Sequence, residues 1–184
     1  LPVAYQLAVC DAKHLGIITG SGGLFRPEGF LNRAEMAKMI VSGPFKLLGL
    51  ITDEELGQLS SLVDEQHFPD VPPSSWFYGF VETLFEAGTV KGYSDGTFKP
   101  GNTLSIAEAA VMMVRAFSEF KSESFQGDLS VKANTFPEDS WFEPSLRVIL
   151  LSGGDVPDPD FSKAYSQPMT RAQMVYNLMV LVRK

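Results

Sequence analysis

The chain is 184 residues long, 45% hydrophobic and 20% charged, with a formal charge of −7 and a pI near 4.8. Such a composition belongs to a globular chain and excludes a disordered one. The acidity excludes long-range attraction to nucleic acid or anionic lipid, so an anionic ligand must be held by a local cation against the overall field.

A single cysteine, Cys10, rules out an intrachain disulfide. Its neighbours Leu7, Ala8 and Val9 predict a packed thiol rather than a reactive one. No apolar run reaches the length of a membrane span, and no signal peptide is visible. The start at Leu1 reads as that of a processed or excised fragment of a longer protein.

In chain order, the first periodic stretch sets Leu7, Cys10, His14 and Leu15 on one helical face before Gly16. A glycine-rich turn at 20–23 follows; it superficially suggests a phosphate loop but lacks the Lys-Ser/Thr ending. Asn32-Arg33-Ala34-Glu35 then fits a capping box, opening a helix whose core face is Met36, Met39 and Ile40. Thr52-Asp53-Glu54-Glu55 is another capping box and predicts a short extra helix to about Val63. Phe68-Pro69-Asp70-Val71 and Trp76 precede a helix with Phe77, Phe80, Val81, Leu84 and Phe85 on one face. Gly88 ends it as a C-terminal cap would, and Ser94-Asp95-Gly96 is turn chemistry. Ser105-Ile106-Ala107-Glu108 starts the next helix, with Val111, Met112 and Val114 inward. Residues 118–135 read as a solvated polar connection. The last third repeats the plan: Phe136-Pro137-Glu138-Asp139, Trp141, then Leu146, Ile149 and Leu150 before Gly153. It closes with Thr170-Arg171-Ala172-Gln173 and an apolar face of Met174, Val175, Leu178, Met179 and Leu181.

These segments are copies of one unit. A shift of 72 residues carries Gly88 and Gly92 onto Gly16 and Gly20; a shift of 73 carries Phe98, Pro100, Ala107 and Glu108 onto Phe25, Pro27, Ala34 and Glu35. A shift of 65 carries Trp76, Gly88, Ser105, Ala107 and Glu108 onto Trp141, Gly153, Thr170, Ala172 and Gln173. The expected organisation is repeat 1 at 1–50, a linker with a short helix at 51–67, repeat 2 at 68–120, a linker at 121–135, and repeat 3 at 136–184. A two-helix unit cannot bury its own apolar faces, so the three should pack together as an all-α domain.

The spaced signature FPDV, Trp, Gly, GYSDGTF and Pro, closing on a T-R-A-E-like tetrapeptide, resembles the S-layer homology family over nearly the whole chain outside the linkers. The resemblance implies a pseudo-threefold, three-pronged helical bundle. It also implies a non-catalytic cell-surface anchor that binds secondary cell-wall polysaccharide, commonly pyruvylated, in grooves between repeats. The implied location is the extracellular face of a bacterial cell, at its surface or wall. The implied partners are that polysaccharide or a peptidoglycan-linked glycan, and other surface-layer proteins. Neither nucleic acid, membrane insertion nor a cofactor is expected.

By the same resemblance, the glycan-binding positions would be Arg33, Arg171, Asp70, Trp76, Trp141, Gly16, Gly88 and Gly153. The arginines also have an independent argument. A cation at the first position of a helix opposes the macrodipole. Two repeats nevertheless place one there, beside free N-terminal amides that could complete an anion corner. Ile106 fills the equivalent place in repeat 2. Each Trp is either a sugar-stacking platform or an anchor for its helix, and Asp70 reads mainly as a brace for the start of that helix. Asn32, Glu35, Ser105, Glu108, Thr170 and Gln173 read as helix caps, and Gln in place of Glu argues against catalysis there. Asp155, Asp158 and Asp160 are a poor calcium loop, and neither His14 nor His67 has a partner at metal-ligand spacing. The rival reading is a protein–protein or self-assembly module with degenerate grooves.

Overall fold

A computed structural model describes residues 1–20, 24–118, 140–155 and 165–183. The expected linker at 121–135, the 136–139 tetrapeptide, Asp158 and Asp160 lie outside the described residues. Within them the protein is all-helical: α1 Val3–His14, α2 Arg33–Ile40, α3 Asp53–Leu62, α4 Tyr78–Glu86, α5 Ile106–Ser118, α6 Glu143–Leu151 and α7 Arg171–Val182. A π-helical turn at Val41–Phe45 prolongs α2 and carries Pro44.

Each repeat is a short helix (α1, α4, α6), a loop, and a second helix (α2, α5, α7) that enters the core. The loop starts the same way three times. Gly16, Gly88 and Gly153 take positive φ, and the next amide reaches back five residues, Ile17 to Ala12, Thr89 to Leu84 and Gly154 to Ile149, each at 2.9 Å. This is a Schellman cap, which an L side chain would strain. The second helices begin on the expected capping boxes. Asn32, Ser105 and Thr170 accept from the amides of Glu35, Glu108 and Gln173, whose side chains return to the cap amides.

The three starts meet at the centre of the molecule. Leu31 N–H donates to Met169, Met169 N–H to Leu104, and Leu104 N–H to Leu31, at 2.9 to 3.2 Å. All three side chains are buried. These residues are 73 and 65 apart, the same shifts that relate the copies, so the sequence repeat is a spatial threefold. The next two amides of each helix also donate across a junction: Arg33 and Ala34 to Asn102 and Pro100, Ile106 and Ala107 to Gln167 and Tyr165, Arg171 and Ala172 to Gly29 and Pro27. The first-turn amides at all three starts are therefore satisfied, and the expected free amides beside the arginines are not there.

The core is continuous through all three repeats, with Met36, Ile40, Ile106, Met113, Met174 and Leu178 among its fully buried side chains. Repeat 2 packs its first helix under α3, where a Cβ at Gly79 would lie 2.7 Å from the backbone of Ser60. Helix α1 departs from expectation. It buries Tyr5, Ala8 and Ala12, while Leu7 and Cys10 are exposed. Ala8 and Ala12, four residues apart, let α1 lie close against α7 with Tyr5 on the same face, so Leu7 turns outward and the thiol is not packed.

Candidate ligand-binding grooves

Two pseudo-equivalent clefts open where repeats adjoin. The first, of about 410 Å³, lies over repeat 1 between Ile18–Gly20 and α2, with Trp76 of repeat 2 on one side and Arg171 of repeat 3 on the other. The second, of about 470 Å³, lies over repeat 2 between Val90–Tyr93 and α5, flanked by Trp141 of repeat 3 and Arg33 of repeat 1. Each cleft thus takes residues from all three repeats. Gly20 matches Gly92, Glu35 matches Glu108, and Met39 matches Met112 in the two linings.

The arginine in each cleft is held by the capping glutamate of the neighbouring repeat. Glu108 uses Oε2 to accept from the Ser105 amide at 3.0 Å, leaving Oε1 to Arg33 Nη1 at 3.5 Å and the Tyr93 hydroxyl at 2.7 Å. Glu35 divides its oxygens alike, Oε2 to the Asn32 amide and Oε1 to Arg171 Nη2. One oxygen caps the helix while the other orients the guanidinium. Repeat 3 has Gln173 at this position and repeat 2 has Ile106, so the junction without a cation also lacks the carboxylate.

Arg33 is 6% exposed. Its Nε donates to the Phe98 carbonyl at 2.7 Å, and its guanidinium lies 4.7 Å from the Tyr93 ring centre and 4.6 Å from that of Phe98. Arg171 is more open and rests against Gly29, where a Cβ would come within 2.6 Å of Nη1. Burial works against the charged form of Glu108, but the Tyr93 and Ser105 hydrogen bonds and the Arg33 charge overcome it and hold the carboxyl below its ordinary range. Burial and the Glu108 hydrogen bond push the Tyr93 phenol up.

Trp76 and Trp141 are 56% and 64% exposed. Each meets the following phenylalanine edge-on, Phe77 and Phe142 respectively, and leaves more than half its surface to solvent at a cleft edge. Asp70 is elsewhere. Its Oδ1 accepts from the Phe98 amide at 2.9 Å and its Oδ2 from Lys99 at 2.7 Å, so it braces the loop of its own repeat rather than the start of α4. Gly16, Gly88 and Gly153 are helix caps outside both linings; Gly20 and Gly92 are the glycines on the cleft walls. At Gly92 a Cβ would fall 2.4 Å from Phe68 Cε1, so the loop is seated on that ring.

The third junction is built differently. Tyr5 stacks on Tyr176 with ring centres 4.8 Å apart, and its hydroxyl donates to Asp155 Oδ2. Asn177 holds the Asp155 amide at 2.7 Å and carbonyl at 2.9 Å. Asp155, Tyr176 and Asn177 stand where the first groove has Ile18, Lys38 and Met39, so an aromatic and hydrogen-bonded seal replaces the aliphatic floor. Ile106, at the arginine position, is fully buried there. Asp155 is thus committed to packing.

Sequence reasoning missed Tyr93, Lys38 and the glutamate–arginine pairing. The GYSDG turn pointed to Tyr93; the pairing spans 75 and 136 residues and left no local signal. His67, which has no partner at metal-ligand spacing in the sequence, pairs its Nδ1 with the fully buried Glu82 at 2.9 Å.

A closed ring of three helical repeats with clefts at the junctions defines a compact all-α repeat module. The sequence model of the S-layer homology domain matches two segments of the chain, residues 2–37 and 67–110. The surface layer protein of Brevibacillus choshinensis is 34% identical over 117 residues, 63% of this chain and 10% of that protein. The cellulosome-anchoring protein of Acetivibrio thermocellus is 29% identical over 165 residues, 89% of this chain and 34% of that protein. An S-layer protein of Bacillus anthracis is 48% identical over 48 residues, 26% of this chain and 6% of that protein. The chain therefore matches only about a third of the length of one of these relatives and a tenth or less of the other two. Their company places it at the bacterial cell surface. No helix among the described residues is long and apolar enough to cross a membrane.

Proposed function

We propose that this chain is a non-enzymatic cell-wall anchoring module that binds an acidic, pyruvylated wall polysaccharide in its first and second grooves. The observation that carries this reading is the recurrence, in two clefts, of an exposed Trp facing an oriented Arg supplied by a different repeat. A pyranose presents a C–H face to the indole, and a ketal carboxylate suits the guanidinium fork. The arginines act in this reading as fixed cations set by neighbouring carboxylates, not as partners of helix amides. Names among the relatives, a surface layer protein and a cellulosome-anchoring protein, support the anchoring role. The third junction, with Ile106 and the Tyr5–Tyr176 stack, contributes no equivalent site.

The test is retention of the purified protein by bacterial wall sacculi, before and after mild acid removal of pyruvyl ketals. Retention should fall on ketal removal and on combining Trp76→Ala with Trp141→Ala. Equal retention in all cases refutes the proposal. The outward Val3 and Leu7 of α1 favour self-assembly as a second reading. Concentration-dependent oligomers without polysaccharide binding would decide for it.

A further inference from the structure

One fully buried carboxylate belongs to neither groove. Glu82 on α4 has no exposed surface. Both of its oxygens accept from the His67 amide, at 3.2 and 3.3 Å, and Oε2 also meets the His67 ring at Nδ1, 2.9 Å away. A carboxylate out of reach of water needs a cation or several donors, and among the described residues one residue supplies all of its hydrogen bonds. The His67 ring packs on Phe85 with centres 4.1 Å apart, and its Nε2 lies 3.9 Å from the exposed Glu65. On α4 itself the neighbouring titratable groups are Tyr78 and Glu86. Helix α3 presents Leu59 and Ser60 to the same face, and the Lys38 of α2 turns to Trp76 instead. The pair pins the segment that seats the wall of the second groove. Phe68, the next residue, lies under Gly92 and 5.5 Å from the Phe98 ring centre, and Asp70 holds the Phe98 and Lys99 amides. Phe98 in turn carries Arg33 on its carbonyl and its ring. The repeat shifts put Cys10 at the place of Glu82 in repeat 1 and Arg147 there in repeat 3, so the pair serves the second groove alone.

We propose that His67 and Glu82 are positioning residues for the second groove, and that protonation of His67 tightens that groove while leaving the first unchanged. A cationic His67 completes an ion pair with a carboxylate that no water reaches. A neutral His67 leaves that charge buried among weaker donors, and the segment from Phe68 to Asp70 loosens its hold on the loop above it. Binding in the second groove therefore weakens as pH rises through about 5 to 8, the range over which imidazoles lose their charge. The inference rests on the binding role proposed above and adds regulation to one of its two sites.

The experiment has one arm without ligand and one with it. In the free, unaltered protein, the amide signals of Gly92 and Phe98 in nuclear magnetic resonance spectra should move with the same midpoint as the His67 ring. In the second arm, soluble polysaccharide fragments released from sacculi are titrated calorimetrically at about pH 5.5 and about pH 8. Trp76→Ala silences the first groove and Trp141→Ala the second; both rings are mostly exposed, so the fold should persist, as circular dichroism would verify. The Trp76→Ala protein should bind about fivefold more weakly at the higher pH. The Trp141→Ala protein should bind equally at both, which also excludes titration of the ligand as the cause. Adding Glu82→Gln to Trp76→Ala keeps an acceptor for the His67 amide, removes the charge and should flatten the profile. Gly92 and Phe98 signals that stay still while the His67 ring titrates overturn the positioning role, whether or not glycan binds. A pH profile shared by both grooves, or one that survives Glu82→Gln, overturns it too and leaves the binding role intact. Absence of binding by the unaltered protein at both pH values overturns both readings together.

Discussion

Arg33 is expected to be structural as well as ligand-facing, and Arg33→Ala separates the two. The substitution removes the Nε bond to the Phe98 carbonyl at 2.7 Å; a charge-assisted bond of this kind contributes about 1.5–3 kcal/mol. It also removes the guanidinium from between Tyr93 and Phe98, worth roughly 0.5–1 kcal/mol per ring. Glu108 keeps Tyr93 and Ser105, so no carboxylate is orphaned. The sum is about 2.5–5 kcal/mol, which for a chain of this length lowers the melting temperature by roughly 5–20 °C. Arg171→Ala, at the more open pair, should cost about 1 kcal/mol or less. Urea denaturation of both variants beside the parent gives the comparison. Equal midpoints for the two variants would refute the claim that the second groove's arginine is built into the core. Loss of wall retention by Arg33→Ala should accordingly be read only where the variant is still folded.

Stability should fall as pH drops below about 4.5, because the folded Glu108 has a depressed pKa and its contribution is lost on protonation. Glu108→Gln should make that acid limb shallower in urea midpoints measured from pH 6 to pH 3. Gly92→Ala should destabilise more than Gly96→Ala: both have positive φ, but only at Gly92 does a Cβ strike Phe68, and thermal melts rank them. Thr170→Ala should cost about 1 kcal/mol through loss of the cap, seen as a shift in urea midpoint without a change in slope. Native Cys10 should react with a thiol reagent as readily as in urea, since α1 turns it outward; protection in the native state would contradict the placement.

The repeat shifts, the three capping boxes and the glycine caps were legible in sequence because each is set within a few residues. The inward faces of α2, α5 and α7 were legible for the same reason, since large apolar residues recur at helical spacing. The face of α1 was not. Its packing residues are Ala8 and Ala12, whose value is closeness to α7, and the larger Leu7 and Cys10 masked them. The grooves were half legible: the Arg and Trp positions were visible, but which repeat supplies which to a given cleft depends on the ring. Asp70 shows the same limit, since its two amide partners lie 28 and 29 residues away across a turn.

The central triangle of Leu31, Met169 and Leu104 has a consequence for how such a chain can change. An open stack of repeats has two free ends and can lengthen by adding another unit. Here each unit's donors are spent on the next unit's acceptors, and the third returns to the first. A fourth unit would find no unsatisfied partner, and removing one would expose two. Copy number is therefore fixed by closure, and variation is confined to side chains at the junctions. Repeat 3 can lose its glutamate and drift from the signature, yet it remains indispensable as the unit that closes the circuit.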